Sequence, residues 1–252
     1  MMSDSTEHLV KSFDNELKRL RDMLTEMGGI VESQVALAAE AIMNRDSVAA
    51  TRAVEEDPKV DALEREVEQF VIRMLALRQP MAGDLRRIVG ALKITSDLER
   101  IGDYAANVAK RSIALNQAPA VKPAFALPRM GRLAQVQIKN VLDAYVHRDA
   151  AKAMQVWLSD EELDELYTSL FRELLTYMME DPRSITAGTH LLFMAKNIER
   201  VGDHATNIAE TIYYLINGTP LTETRPKRDR SSSSVVLPGP SGIVSTESEP
   251  SA

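Results

Sequence analysis

One segment occurs twice in this 252-residue chain, one hundred positions apart. The first copy covers residues 96–109 and the second covers residues 196–209. An acid, an arginine, a glycine, a second acid and an asparagine stand at the same places in both copies. Chance does not produce such agreement, so the chain carries an internal duplication. A chain of this length has room for two similar halves with a sizeable core.

Apolar residues recur every three or four positions, which is typical of amphipathic helices. Only 5% of the residues are aromatic, and good helix formers dominate. In the first half we expect a helix over about 5–44, bent at Gly28-Gly29, and a short helix over 46–56. A new helix should start at Asp57-Pro58, since Asp caps a helix and Pro suits its first position. A third main helix is expected over 81–115.

The same pattern restarts after a Pro- and Ala-rich linker at 116–128. Each half therefore has three main helices, the middle one broken near its start. We predict an all-α fold of two pseudo-symmetric three-helix bundles, six main helices in all. The first bundle is expected over residues 1–118 and the second over 119–218. Residues 219–252, rich in Pro and Ser, are expected to form a disordered tail.

Composition and charge exclude several classes of protein. The chain has no cysteine, which excludes a disulfide framework and thiolate metal sites. The net charge of −7, with acids and bases mixed, argues against a nucleic-acid surface. No apolar run approaches the roughly 18 residues that span a bilayer, and the amino end has no signal pattern. We therefore expect a cytoplasmic protein.

Acidic residues four positions apart share one face of a helix, and this spacing occurs twice in each half. Like charges at that spacing destabilise a helix by a few tenths of a kcal/mol, so the repetition requires an explanation. Asn107 and Asn207 extend the face by one turn. The pairs are Asp57 with Asp61, Glu99 with Asp103, Asp160 with Asp164, and Glu199 with Asp203.

The four acids of each half stand at matching heights if the middle and third helices form an antiparallel hairpin. The first hairpin would turn at Pro80 and the second between Asp181 and Pro182. Each half then brings four carboxylates together across one helix pair. An all-oxygen cluster of this kind is what hard cations such as Mg²⁺, Mn²⁺ or iron select.

Other interpretations of these acids stay open. The mid-helix acids could form a solvated face with salt bridges to Arg100, Arg200 or Lys110. Asp57 and Asp160 could be ordinary helix-start acids.

Three neighbouring residues also have two interpretations each. Gly102 and Gly202 either permit close helix packing or make room for a ligand. His204 is replaced by tyrosine in the first half, which favours a packing or solvated role over metal ligation.

The segments at 97–103 and 197–210 resemble the signature motifs of the PhoU family, and the similarity runs from about residue 13 to residue 217. That family's hallmark is a pair of Glu/Asp-x-x-x-Asp motifs in each three-helix bundle, which binds a multinuclear metal site. The eight acids named above match the hallmark without departure. The resemblance thus implies divalent or trivalent hard metal ions, whether Fe, Mn, Mg or Zn, as cofactors.

The resemblance also implies a function. PhoU-like proteins are non-enzymatic negative regulators of phosphate uptake and of the phosphate-starvation regulon. They bind the ATPase subunit of the phosphate ABC transporter and the phosphate sensor histidine kinase, and they reach the membrane only through such partners. A homodimer that binds no nucleic acid is expected.

Two rival functions remain. One is a ferritin-like dimetal carboxylate enzyme, although no Glu in this chain is followed three positions later by His. The other is a metal-free helical adaptor whose acids meet basic partner surfaces.

Overall fold

The computed structural model describes residues 2–119, 125–159 and 161–222, with side chains from Ser12 onward, and two short strands further on. The predicted all-α fold of two pseudo-symmetric halves is confirmed. The strands, β1 and β2, pair antiparallel at Ser234–Val235 and Val244–Ser245. The helices are α1 (Met2–Asn44), α2 (Ser47–Arg78), α3 (Ala82–Asn116), α4 (Leu127–His147), α5 (Ala150–Leu158), α6 (Glu161–Glu180), a 3₁₀ turn (Pro182–Ser184) and α7 (Ile185–Asn217).

The first turn of each half is built in the same way. Asp46 caps α2 by accepting hydrogen bonds from the backbone N–H groups of Val48 and Ala49, and Asp149 caps α5 similarly. The residues before these caps, Arg45 and Arg148, both adopt a left-handed backbone with φ of 53°. The duplication therefore extends to the local geometry of the turns.

The predicted start of a helix at Asp57-Pro58 is wrong, because α2 continues through it with Pro58 inside the helix. Proline inside a helix removes one hydrogen bond and costs about 3 kcal/mol. Here Ala53 before the proline and Val60 after it are both buried in the core. Tertiary packing on both sides thus holds the helix together across the proline.

The second half does break near the start of its middle helix, as predicted. α5 ends at Leu158, and the Ser159 backbone N–H donates to the carbonyl of Val156 at 3.1 Å. α6 begins at Glu161, and Asp160 lies outside the described residues.

The predicted hairpin turns are confirmed. α2 and α3 are separated only by residues 79–81, centred on Pro80. Between α6 and α7 lie Asp181 and the short 3₁₀ turn, where Asp181 accepts a hydrogen bond from the Arg183 backbone.

The predicted tail beyond residue 218 lies mostly outside the described residues. α7 ends at Asn217, and Gly218 closes it in a left-handed conformation at φ 79°.

α3 and α7 pack antiparallel against each other and join the two halves. Arg86, near the start of α3, lies over the ring of Tyr214 near the end of α7. Arg111, near the end of α3, lies over the ring of Phe193 in the first part of α7. One continuous apolar core extends through both halves. None of the described helices is long and apolar enough to cross a membrane.

Candidate metal centres

The four predicted ligands of the first half lie in the interiors of two neighbouring helices. Asp57 and Asp61 stand in the middle of α2, so neither is a helix-start acid. Glu99 and Asp103 stand in the middle of α3. All four side chains are half-buried. The structure therefore places two acidic pairs on adjacent helices, as predicted from the matching heights of these acids in an antiparallel hairpin.

Asp57 lies within electrostatic reach of the acids on both helices. Burial is the main cause that raises the pKa of Asp57 above its usual value, and a hydrogen bond from Gln34 opposes it. Repulsion from Asp103 on α3 and from Asp61 on its own helix raises the pKa further. Lys110 contributes an opposing positive charge.

Glu99 is the most perturbed acid of this group. Burial, followed by repulsion from Asp103, raises its pKa to about 7. Arg100 is the nearest counter-charge, with its guanidinium nitrogens 3.4 Å from a carboxylate oxygen of Glu99 and 3.4 Å from one of Asp103. The salt bridge to Arg100, which belongs to the alternative interpretation of these acids as a solvated face, is thus present. It offsets the repulsion only in part, because the arginine side chain is 55% exposed.

Sequence reasoning missed a fifth acid, Glu64. It lies one turn beyond Asp61 on α2, and its carboxylate repels that of Glu99. Burial raises the pKa of Glu64, and the neighbouring acids Glu68 and Asp61 raise it further. The signal for Glu64 was its helical spacing of three from Asp61 and seven from Asp57.

Two buried glutamines, one in each half, were also missed. Gln34 on α1 is fully buried, and its side-chain N–H donates to Asp57 at 3.3 Å. Its carbonyl Oε1 is buried without a hydrogen-bond partner. Gln137 on α4 stands 103 positions later and has the same buried, unpartnered oxygen. Aligning the two halves at this offset would have revealed the pair.

Gly102 provides the space for Gln34. A Cβ atom on Gly102 would lie 3.0 Å from Gln34 Oε1 and 3.4 Å from Val60. Of the two interpretations of this glycine, close packing is the one that the structure supports.

The second acidic group differs from the first in its surroundings. Asp164 in the first turn of α6 and Glu199 in the middle of α7 are almost completely buried, at 2% and 3% exposure. Asp203 is half-buried, and Asp160 lies outside the described residues. The Lys196 amine lies 2.8 Å from Glu199 and sits over the ring of Tyr167. A lysine of the chain itself therefore supplies positive charge here.

His204 and Asn207 contact the other half of the molecule. Nδ1 of His204 lies 2.8 Å from a carboxylate oxygen of Asp97 on α3, and the His204 ring packs against Tyr104. Asn207 donates to the same carboxylate at 3.5 Å. The predicted packing role of His204 is confirmed, while the side-chain N–H of Asn207 faces α3.

The chemistry of the side chains fits a hard cation, because the groups are carboxylates. Within the described ranges, no three Asp, Glu, His or Cys side chains converge on a single point that could hold an ion. The acids thus share a face without forming a closed coordination shell. Metal binding remains a prediction for Asp57, Asp61, Glu99, Asp103, Asp164, Glu199, Asp203 and Asp160.

Comparison with known proteins gives two matches to the same domain within this chain. The PhoU domain matches residues 24–112 and again residues 127–212. A phosphate-specific transport system accessory protein PhoU homolog from Caulobacter vibrioides is 53% identical over 89% of this chain and 98% of its own length. The homolog of the same name from Rhizobium meliloti is 51% identical over 89% of this chain and 95% of its own length.

Solved structures agree with these matches. The crystal structure of PhoU from Pseudomonas aeruginosa has a TM-score of 0.80 and 40% identity, covering 82% of this chain and all of that one. The phosphate transport system regulatory protein PhoU from Streptococcus pneumoniae has a TM-score of 0.75 and 30% identity, covering 84% of this chain. Sequence and fold thus point the same way, and the chain belongs to the PhoU family.

Proposed function

We propose that this chain is a non-enzymatic regulator of phosphate uptake that restrains transport and the phosphate-starvation response when phosphate is plentiful. The names of its relatives, which are accessory proteins of phosphate-specific transport systems, support this role. The observation that carries the proposal is the pair of acidic helix faces, repeated in the two halves of a chain that matches these proteins over 89% of its length.

The acids of both halves are the proposed holders of hard metal ions such as Fe, Mn, Mg or Zn. A bound cation would supply positive charge against the carboxylates, which burial and mutual repulsion now disfavour. Gln34 holds Asp57 in place from behind, and Arg100 lies beside Glu99 and Asp103.

The proposed partners are the ATPase subunit of the phosphate ABC transporter and the phosphate sensor histidine kinase. The protein would act in the cytoplasm, as a homodimer, and would approach the membrane only through these partners. Light scattering during size-exclusion chromatography tests the dimer, and a mass of one chain would contradict it.

Elemental analysis tests the metal sites. We expect metal in protein purified without a chelator and a clear loss in the Glu99→Gln, Glu199→Gln double variant. Glu55→Gln, Glu162→Gln is the matched control, because both of these acids are exposed on the middle helices. Unchanged metal content in the double variant would overturn the ligand assignment.

A pull-down with the transporter ATPase and the kinase tests the function. We expect metal-loaded protein to retain each partner more strongly than chelator-treated protein. Equal retention would show that metal plays no part in docking. No retention of either partner under both conditions would contradict the regulatory role itself.

A metal-free adaptor is the second candidate, and a specific observation favours it. Arg100 and Lys196 already pair with acids of the two groups. In that case the acidic faces would meet basic partner surfaces directly, and binding would weaken as salt is raised. This alternative would be supported if metal-free protein binds the partners and its affinity for them falls as the salt concentration is raised from 50 to 500 mM.

A further inference from the structure

A separate cavity of about 240 Å³ lies where the two halves of the chain meet. It is formed by α1 and α3 from the first half and by α4 and α7 from the second. None of the seven predicted metal ligands that the structure describes lines it. Its apolar wall consists of Leu17, Leu20, Ala91, Ile212, Leu215 and Ile216.

The charged residues around this cavity are mostly basic. Among the described residues, Lys18, Arg21, Arg87 and Arg148 line it, against a single acid, Asp14. This balance is opposite to that of the whole chain, whose net charge is −7. Unpaired cations around an apolar wall favour an anion over a neutral ligand.

Most of these cations have no ion-pair partner within the described part of the chain. Arg87 makes a loose contact with Asp84 at 3.5 Å. Lys18, Arg21 and Arg148 make no ion pair with any residue that the structure describes. Their charges are therefore available to a ligand.

Comparison of the two halves shows that Arg148 lacks the structural role of its counterpart. Its counterpart Arg45 has the same left-handed backbone and the same position before a capping aspartate. Arg45 donates to the carbonyl of Leu115 at 2.9 Å and to that of Ala118 at 2.6 Å, which closes the end of α3. Arg148 instead lines the cavity.

Tyr145 adds a hydrogen-bond donor on the same side. Its hydroxyl makes no hydrogen bond within the described part of the chain. Burial raises the pKa of this phenol to about 12, although Arg21 and Arg148 lie close enough to oppose the shift. The hydroxyl therefore keeps its proton at neutral pH and can donate it in a hydrogen bond to an anion.

We propose that this cavity binds a small amphipathic anion, with one phosphoryl or carboxylate head and an apolar group of about one ring. Arg148 and Arg21 would pair with the head, Tyr145 would donate to it, and the leucine and isoleucine side chains would cover the apolar group. The cavity is smaller than the roughly 300–1,000 Å³ of sites for drug-sized ligands, which limits the apolar group. The proposal is independent of the acidic sites and of phosphate regulation.

Isothermal titration calorimetry of the full chain with four probes tests the proposal. Phenyl phosphate and benzoate carry both the head and the ring, inorganic phosphate carries only a head, and benzyl alcohol carries no charge. We expect either phenyl phosphate or benzoate to bind with a stoichiometry of one per chain, depending on whether the site prefers a phosphoryl or a carboxylate head. Inorganic phosphate and benzyl alcohol should each bind at least tenfold more weakly than the preferred probe.

Two variants locate the site. Arg148→Asn removes the guanidinium and keeps a residue that tolerates a left-handed backbone, and it should weaken binding at least tenfold. Tyr145→Phe should weaken it about threefold. Lys93→Ala is the matched control, because Lys93 is an exposed cation on α3 outside this cavity, and it should bind like wild type. Thermal melts confirm that each variant is folded.

Three outcomes would overturn the proposal. The first is the absence of saturable binding of both organic anions at millimolar concentration. The second is a folded Arg148→Asn variant that binds as tightly as wild type. The third is inorganic phosphate or benzyl alcohol binding as tightly as the preferred probe, since the amphipathic assignment would then be wrong.

Discussion

Glu99 makes the stability of the metal-free protein depend on pH. Burial and the neighbouring Asp103 raise its pKa from 4.5 to about 7, so the folded chain binds a proton more tightly than the unfolded chain. Its contribution to stability is complete below pH 4.5 and is lost as the pH rises through 7. Burial and neighbouring acids shift the pKa of Asp57 and Glu64 in the same direction.

Glu99→Gln should therefore stabilise the chelator-treated protein at pH 8 and leave it nearly unchanged at pH 4.5. The expected gain is about 1–2 kcal/mol, because one pKa unit corresponds to about 1.4 kcal/mol and solvent screens part of the interaction. Urea unfolding at the two pH values measures it. Glu55→Gln, at an exposed position of α2, is the control. A gain of equal size at both pH values would contradict the titration of Glu99.

Two helical glycines should respond differently to replacement by alanine. A Cβ on Gly29 meets nothing within 4 Å, so Gly29→Ala should stabilise the protein by about 1 kcal/mol through helix propensity. A Cβ on Gly102 would press on the fully buried Gln34 at 3.0 Å. Overpacking of this kind costs about 1–3 kcal/mol, so Gly102→Ala should be neutral to destabilising. Thermal unfolding measures both, and a stabilising Gly102→Ala would show that Gln34 can move aside.

Some helix boundaries could be predicted from the sequence and others could not. The hairpin turns at Pro80 and Asp181-Pro182 were predicted correctly, because turn residues mark each of them and the acids on either side are equally far from it in the sequence. Continuation of α2 through Pro58 could not be predicted, because it depends on core contacts of residues on both sides of the proline.

The acidic faces were found from their four-residue spacing, whereas their supporting residues were not. Glu64 lies outside that spacing, and its proximity to Glu99 depends on how α2 and α3 pack. Gln34 follows the polar residues Glu32 and Ser33 in α1, and only the fold brings it to Asp57. Local patterns thus located the ligand candidates, and tertiary contacts supplied what surrounds them.

The two turns with an arginine in the left-handed conformation should differ in their contribution to stability. Arg45→Asn loses two hydrogen bonds to the carbonyls at the end of α3, at about 0.5–1.5 kcal/mol each. Arg148→Asn loses no such bond and should change the free energy of unfolding by less than about 0.5 kcal/mol. Urea unfolding of the two variants side by side measures the difference. Equal losses would contradict the separate roles of the two arginines.

The halves of the molecule have kept one fold and have diverged around their acids. Where the first half has Ser96 and Glu64, the second has Lys196 and Tyr167. The first acidic group thereby has an additional carboxylate, and the second has an additional ammonium 2.8 Å from Glu199. The Lys196 ammonium contacts a proposed ligand and should weaken cation binding at the second site, since a cation binds less strongly where positive charge faces it.

Titration of chelator-treated protein with Mn²⁺, followed by electron paramagnetic resonance of the free ion, should therefore show two classes of site. The tighter class should disappear in Glu99→Gln and the weaker class in Glu199→Gln. Lys196→Ser, which copies the first half, should tighten the weaker class at least threefold, because a positive charge next to Glu199 is removed. Lys93→Ser, on the exposed side of α3, should change neither class. If Lys196→Ser leaves the weaker class unchanged while both Glu variants lose their sites, the acids bind metal but the lysine does not cause the difference in Mn²⁺ affinity between the two sites. If no variant alters binding, Mn²⁺ binds elsewhere on the protein.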